Sequence, residues 1–351
     1  MKKLVNGLVS GMVVSSVLLM TGCGDKKEDT TSNSSTDTAK APYVLKFSHV
    51  VSPNTPKGKA ADFFEKRLEE LSGGKIDVQV YPSSQLYKDN AVLKALTLDS
   101  VQMAAPSFSK FGKIVPQLAL FDLPFVFKDL DHLHRVQDGE VGRKLKGMVT
   151  AKGIVALDFW DNGFKQFTSS SKALINPEDA EGQKFRIMSS KVLEEQFKAV
   201  GGNPQMMPFS EVYSGLQQGV IDAAENPISN IWTKKFHEVQ KYMSISDHGY
   251  LGYLVVMSKK FWDSLPKDLQ KNVVQAMHEA TAKEREYAKQ LNDSQFELIK
   301  EYAKTTGKLE IITLTPEQKE AWRKAVSKIY PEFYDKNQIG KELIEKTIAT
   351  K

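Results

Sequence analysis

From Pro266 to about Thr305 the sequence holds a helical pattern almost without a break, and that stretch limits what the rest of the chain can become. Leu269, Val273, Met277, Leu291, Leu298 and Tyr302 are among its apolar positions. At the helical rise per residue it spans about 60 Å, more than the width of one domain. It therefore predicts a rod, straight or kinked, crossing behind two bodies. The apolar spacing is too irregular for a coiled coil. Beyond it, Thr315-Pro-Glu-Gln318 predicts a capping box that opens a helix running to Tyr330.

The two bodies read as α/β. Tyr43–Phe47 is an opening strand, followed by an amphipathic helix carrying Ala60, Phe63, Phe64, Leu68 and Leu71 and stopped by Gly73-Gly74. Ile76, Val78 and Val80 alternate as a second strand. A helix around Val92, Leu93 and Leu96 precedes a strand at Val101–Ala105, and this alternation predicts a mostly parallel sheet. In the second half Ile154–Trp160 is a strand, and Asn162-Gly163 predicts a tight turn. Lys184–Met188 is a short strand, with Ser189 or Ser190 capping a helix that Gly201-Gly202 ends. Ser210 is expected to cap the next helix, which Gly219 closes before a strand begins at Val220-Ile221. At 41% hydrophobic residues the chain can build two real cores.

The first residues belong to targeting rather than to the fold. Lys2 and Lys3 precede an apolar run, Leu4–Met20, that is too short and wrongly flanked to span a membrane. It stops at Met20-Thr21-Gly22-Cys23, a pattern that resembles a lipoprotein signal in which Cys23 is lipidated and becomes the mature N-terminus. The alternative is ordinary secretion with a stray thiol. Residues 23–42, rich in Ser, Thr, Asp and Lys, cannot bury enough surface to order themselves and are expected to form a flexible tether. Cys23 is the sole cysteine, so a disulfide framework and a cysteine-ligated metal site are both excluded.

Several function classes fall away on chemistry. The 48 Lys and Arg are interspersed with 43 Asp and Glu, net +5, without a basic run carrying stacking aromatics, so nucleic acid is not expected as a partner. G-x-S-x-G, P-loop, strand-linked G-x-G-x-x-G and H-E-x-x-H motifs are missing, and Asp222 with Glu225 needs only a structural role, so no enzyme is expected. His132 and His134 lie two apart on a predicted helix and so face different ways; they are expected on a solvated face, not at a metal. No cofactor is implied.

What remains is a set of binding groups. Arg186 leaves a strand, while Phe209 and Asn226 sit at element junctions, where α/β folds build ligand crevices. A guanidinium can grip a carboxylate with two parallel hydrogen bonds, Asn can donate a third, and an aromatic face can close the site. The other reading is that Arg186 pairs with a nearby acid and Asn226 is a turn residue before Pro227. His49 and Lys57 lie just past the first strand and are candidate first-domain contacts, as is the Ser107 hydroxyl in the Ala105-Pro-Ser-Phe-Ser loop.

These motifs resemble the DctP family, the substrate-binding proteins of tripartite ATP-independent periplasmic (TRAP) transporters. Arg186 matches the arginine of the family's G-x-x-F-R-x-M strand, Phe209 its F-S-E-V-Y phenylalanine, and Asn226 the asparagine of V-D-G-x-E-N-P, with Ala223 here in place of the glycine. Lys165 matches the cation after W-D-N-G-F, and the wording around His49 and Lys57 is similar to the dicarboxylate-binding branch. The resemblance implies a two-lobed periplasmic-binding-protein-like fold braced by the long helix. Residues 43–160 with about 251–290 would form one lobe, and 161–250 with about 291–351 the other. It implies a C4 dicarboxylate such as malate, succinate or fumarate, bound between the lobes by the charges of Arg186 and Lys165. It also implies delivery to the small and large subunits of a membrane permease. A binding protein for another organic acid, serving an ABC importer or a sensor kinase, would share the pocket chemistry.

Overall fold

The computed structural model describes residues 41–351; the leader, Cys23 and most of the tether lie outside them. The chain lays down β1 (Tyr43–Ser48), β2 (Ile76–Tyr81), β3 (Met103–Ala104) and β4 (Ile154–Phe164). It then crosses to β5 (Gln166–Ser169), β6 (Lys184–Ile187), β7 (Asn203–Met206), β8 (Ala223–Asn226) and β9 (Tyr242–Ile245). It returns as β10 (Tyr250–Ser258) and, much later, contributes β11 (Glu310–Thr313). Two mixed sheets result, ordered β2-β1-β3-β10-β4 and β11-β9-β5-β8-β6-β7. Each sheet with its helices is a lobe, as the resemblance implies.

Two neighbouring chain crossings join the lobes, one from β4 to β5 through Lys165 and one from β9 to β10 through residues 246–249. They are tied to each other, since the Lys165 N–H donates to the Gly249 carbonyl at 2.7 Å. The long helix runs unbroken over Lys267–Thr306, 40 residues ended by left-handed Gly307. It packs on the helix Pro56–Ser72 and β4 in the first lobe and on the helix Ile228–Thr233 and β11 in the second. Polar anchors fix its register against β4. The Trp160 indole donates to Thr281 Oγ1 at 3.0 Å, and the Asp161 N–H donates to buried Glu284 at 2.7 Å.

Local expectations met the structure unevenly. Ser190 accepts from the Leu193 N–H and caps the helix Lys191–Lys198, and Thr315 with Gln318 forms the capping box. Ser210 is not a cap: it lies inside a 3-10 turn, Phe209–Glu211, that leads directly into the helix Val212–Gln217. The strand expected at Val220 starts at Ala223, leaving Val220 exposed. Asn162-Gly163 does not turn the chain. It stays within β4 as a bulge against β10, where the pairing slips between Leu251 and Gly252 and Gly163 takes φ +143°.

The histidines of Asp-His-Leu-His-Arg are not on a solvated face. His132 is buried with Nε2 2.9 Å from the Thr347 carbonyl, and half-buried His134 meets Asp161 at 2.6 Å. Thr347 belongs to the helix Lys341–Ala349. Leu343 and Ile344 of that helix join the first lobe's core, as do Ile329, Tyr330 and Phe333. Of the stretch 291–351, β11 and the helix Pro316–Val326 belong to the second lobe, while these later segments cover the first.

Candidate ligand cleft between the lobes

In both sheets the parallel strands point their carboxyl ends at the gap between lobes. β1 and β3 end there at Ser48 and Ala104, β6 and β8 at Ile187 and Asn226. A cleft opens at this place. Arg186, Phe209, Asn226 and Asn230 line it from the second lobe, Ser107 and Lys110 from the first, and Tyr253 from β10.

Arg186 is 3% exposed and forms no ion pair among the described residues. Its Nε donates to the Met207 carbonyl at 3.0 Å, which steers the fork, and its two terminal nitrogens make no hydrogen bond with the described residues. The Phe209 ring lies 5.9 Å from the guanidinium carbon. Burial lowers the Arg186 pKa to about 10, against the opposing pull of Glu225 and Asp89. Of the two readings the sequence left for this residue, pairing with an acid is not what the structure shows.

Around the fork, buried polar atoms lack partners: Ser107 Oγ, Asn226 Nδ2 and Asn230 Oδ1. A buried group left unsatisfied costs roughly 1–3 kcal/mol, so three of them lining one cleft favour a polar occupant. Asn226 is also joined to Asn230, whose Nδ2 donates to Asn226 Oδ1 at 3.2 Å. The back wall is Tyr253, whose hydroxyl accepts from Asn162 Nδ2 at 2.5 Å; Asn162 Oδ1 accepts in turn from Ser229. The bulge at Asn162 thus aims a side chain at the wall of the site.

Lys165, His49 and Lys57 do not line the cleft. The expectation that Lys165 offers the ligand a second charge gives way, because Glu225 already matches it: Lys165 Nζ lies 2.5 Å from Glu225 Oε1, both fully buried. Glu225 Oε2 meets His248 Nε2 at 2.7 Å, and His248 stacks on Phe167. Burial pushes Glu225 up, but Lys165 and His248 together outweigh it and hold its pKa at about 2. Lys57 stands one layer behind the wall, donating to the Ala105 carbonyl at 2.9 Å with its ammonium 3.5 Å from the Tyr253 ring centre. Burial lowers its pKa to about 8. His49 is buried with both ring nitrogens unpartnered, and burial with the nearby Lys57 charge lowers its pKa to about 3.

Sequence reading missed Lys110, Asn230 and Tyr253. Asn230 could have been found, since it stands four residues past Asn226, in the first turn of the helix Ile228–Thr233 that follows β8. The other two reach the cleft only through tertiary structure.

Residues 47–337 match the family described as bacterial extracellular solute-binding protein, family 7, or DctP. The chain belongs to the DctP family. The C4-dicarboxylate-binding periplasmic protein DctP of Rhodobacter capsulatus is 48% identical over 86% of this chain and 89% of its own. A TRAP periplasmic solute-binding protein from Sulfurospirillum deleyianum, solved with bound succinate, is 60% identical. It superposes with a TM-score of 0.86 over 89% of this chain and all of the other. Another from Pseudomonas aeruginosa, solved with L-malate, is 38% identical with a TM-score of 0.79, covering 83% of this chain and all of its own. The DctP chain described here is accordingly an extracytoplasmic TRAP solute-binding protein, and the relatives are solute-binding proteins. Among its described residues no helix is long and apolar enough to cross a membrane, and no cluster of His, Cys, Asp and Glu is arranged to hold a metal.

Proposed function

We propose that this protein captures a four-carbon dicarboxylate such as succinate, malate or fumarate between its lobes, without catalysis, and hands it to the small and large membrane subunits of a TRAP permease. The observation that carries the reading is the buried Arg186 fork, open to the cleft and without an acidic partner among the described residues. A carboxylate would receive two charge-assisted hydrogen bonds from it, worth roughly 1.5–3 kcal/mol each. Asn226 Nδ2 supplies a third donor, Ser107 a hydroxyl from the opposite lobe, and Phe209 an apolar cover for the carbon chain. Lys57 supports the wall from behind, and neither it nor His49 lines the cleft. The relatives solved with succinate and with L-malate support the same class of ligand.

Closure of the lobes follows as a hinge motion about the two crossings, favoured because the acid contacts both sides. Lipid on Cys23, with residues 24–41 as tether, would hold the protein at the outer face of the membrane. Cys23→Ala is expected to move the protein from the membrane fraction to the soluble fraction; continued sedimentation with membranes would dismiss the anchor.

Thermal melting against a panel of organic acids and sugars tests the binding reading. A ligand at 100 times its dissociation constant adds about 2.7 kcal/mol, a clear shift for at least one four-carbon diacid and none for neutral sugars. A flat response to succinate, malate and fumarate alike would sink it.

A further inference from the structure

If the cleft takes a diacid, as proposed above, one carboxylate goes to Arg186 and the other needs its own cation. Three lysines near the site are already committed. Lys165 faces Glu225 at 2.5 Å, Lys57 is held by the Ala105 carbonyl and the Tyr253 ring, and Lys88 pairs with Glu211 at 2.7 Å on the exposed rim. Lys110 differs from all three. It projects from the 3-10 turn Phe108–Phe111 of the first lobe and lines the same cleft as Arg186. The single hydrogen bond of its ammonium among the described residues is a 3.2 Å contact to the neutral hydroxyl of Ser189, and no carboxylate pairs with it.

We propose that Lys110 is the residue that receives the distal carboxylate and sets the preference of this cleft for diacids over monoacids. Ser189 follows Arg186 by three residues at the exit of β6, so its hydroxyl holds the Lys110 ammonium beside the strand that carries the fork. A neutral hydroxyl at that distance is a weak partner that a carboxylate displaces without loss. Two cations without a paired carboxylate also repel each other, with Asp89 at the cleft wall opposing this in part. Burial lowers the Lys110 pKa, and Arg186 lowers it further against the pull of Asp89 and Asp122. A dianion relieves both charges, whereas a monoanion relieves one and leaves the other desolvated. Because Lys110 belongs to the first lobe and Arg186 to the second, a diacid connects the lobes through its two ends. A monoacid holds only one of them. Ligand charge and lobe closure are then read by the same pair of residues.

Isothermal titration with succinate and with its monoamide, succinamate, tests this. Wild type is expected to prefer succinate strongly. Lys110→Met is expected to weaken succinate by about 10- to 100-fold while leaving succinamate almost unchanged, so that the preference collapses. Lys110→Arg, which restores the charge, is expected to recover most of it. Circular dichroism of both variants checks the fold, and Lys110→Gln serves in place of the Met variant should that one unfold. Unchanged succinate preference in a folded Lys110→Met protein overturns the assignment alone. Failure of wild type to bind any four-carbon diacid overturns the reading of the cleft itself.

Discussion

At Arg186 a guanidinium sits almost out of water with one neutral carbonyl as partner. Its pKa of about 10, well below the ordinary arginine value, means that folding disfavours its charge. That cost is present in full at neutral pH and fades only as pH climbs past 10. Arg186→Met is therefore expected to raise the melting temperature of the ligand-free protein by a few degrees, on the order of 1–3 kcal/mol, and to abolish the shift caused by succinate. Arg186→Lys keeps the charge but loses the fork, and its affinity for succinate is expected to fall about 10- to 100-fold. A lysine variant that binds as wild type does would refute the bidentate grip. His49 makes a different prediction. Its folded pKa near 3 lies below the unfolded 6.5, so the unfolded chain takes up the proton first. Stability is then lost as pH falls from 6.5 toward 3, by about 2 kcal/mol at pH 5 from this residue. His49→Gln is expected to flatten that part of the curve, measured as melting temperature at pH 7 against pH 5.

At the scale of elements, the Lys165–Glu225–His248 group lies where the two crossings meet, and it is a buried ion pair rather than a ligand contact. Removing one member leaves a charge stranded: Lys165→Met is expected to cost about 3–5 kcal/mol, and Lys165→Met with Glu225→Gln to recover most of it. Equal melting temperatures for the single and double variants would contradict the pairing. The rim behaves otherwise. Lys88 and Glu211 join the lobes at 2.7 Å in solvent, so Glu211→Gln is expected to change affinity by less than about 1 kcal/mol, and less still at high salt. This is also where sequence reading ran out. The strand bearing Arg186, the helix capped by Ser190 and the long helix were legible because periodicity and caps are local. Lys165 was misplaced because its partner, Glu225, sits 60 residues away on another strand. Asn162-Gly163 looks like a turn in any window of four residues, and only the β10 partner makes it a bulge. Tyr253 enters the site on the returning β10 and Lys110 from a 3-10 turn of the first lobe, and no local pattern announces either.

For the molecule as a whole, the long helix packs against both lobes and so couples their stability. One calorimetric transition is expected for the described body. Ala282 is an exposed position in the middle of that helix, and proline there removes a helical hydrogen bond and clashes with the preceding turn. Ala282→Pro is expected to cost about 3 kcal/mol or more and to lower or split the transition. A protein melting as before would mean that the brace carries little of the coupling.

The first lobe holds β1, and the helix Lys341–Ala349 lies against its core. Both extremities of the described residues are therefore fastened to one lobe, and the lobe carrying Arg186 is joined to it only through the crossings and the packing between them. Were residues 23–40 to tether the protein as proposed, their pull would reach the lobe that holds β1. The lobe that carries Arg186 would then stay unloaded, and its affinity for the acid is expected not to change when that segment is shortened.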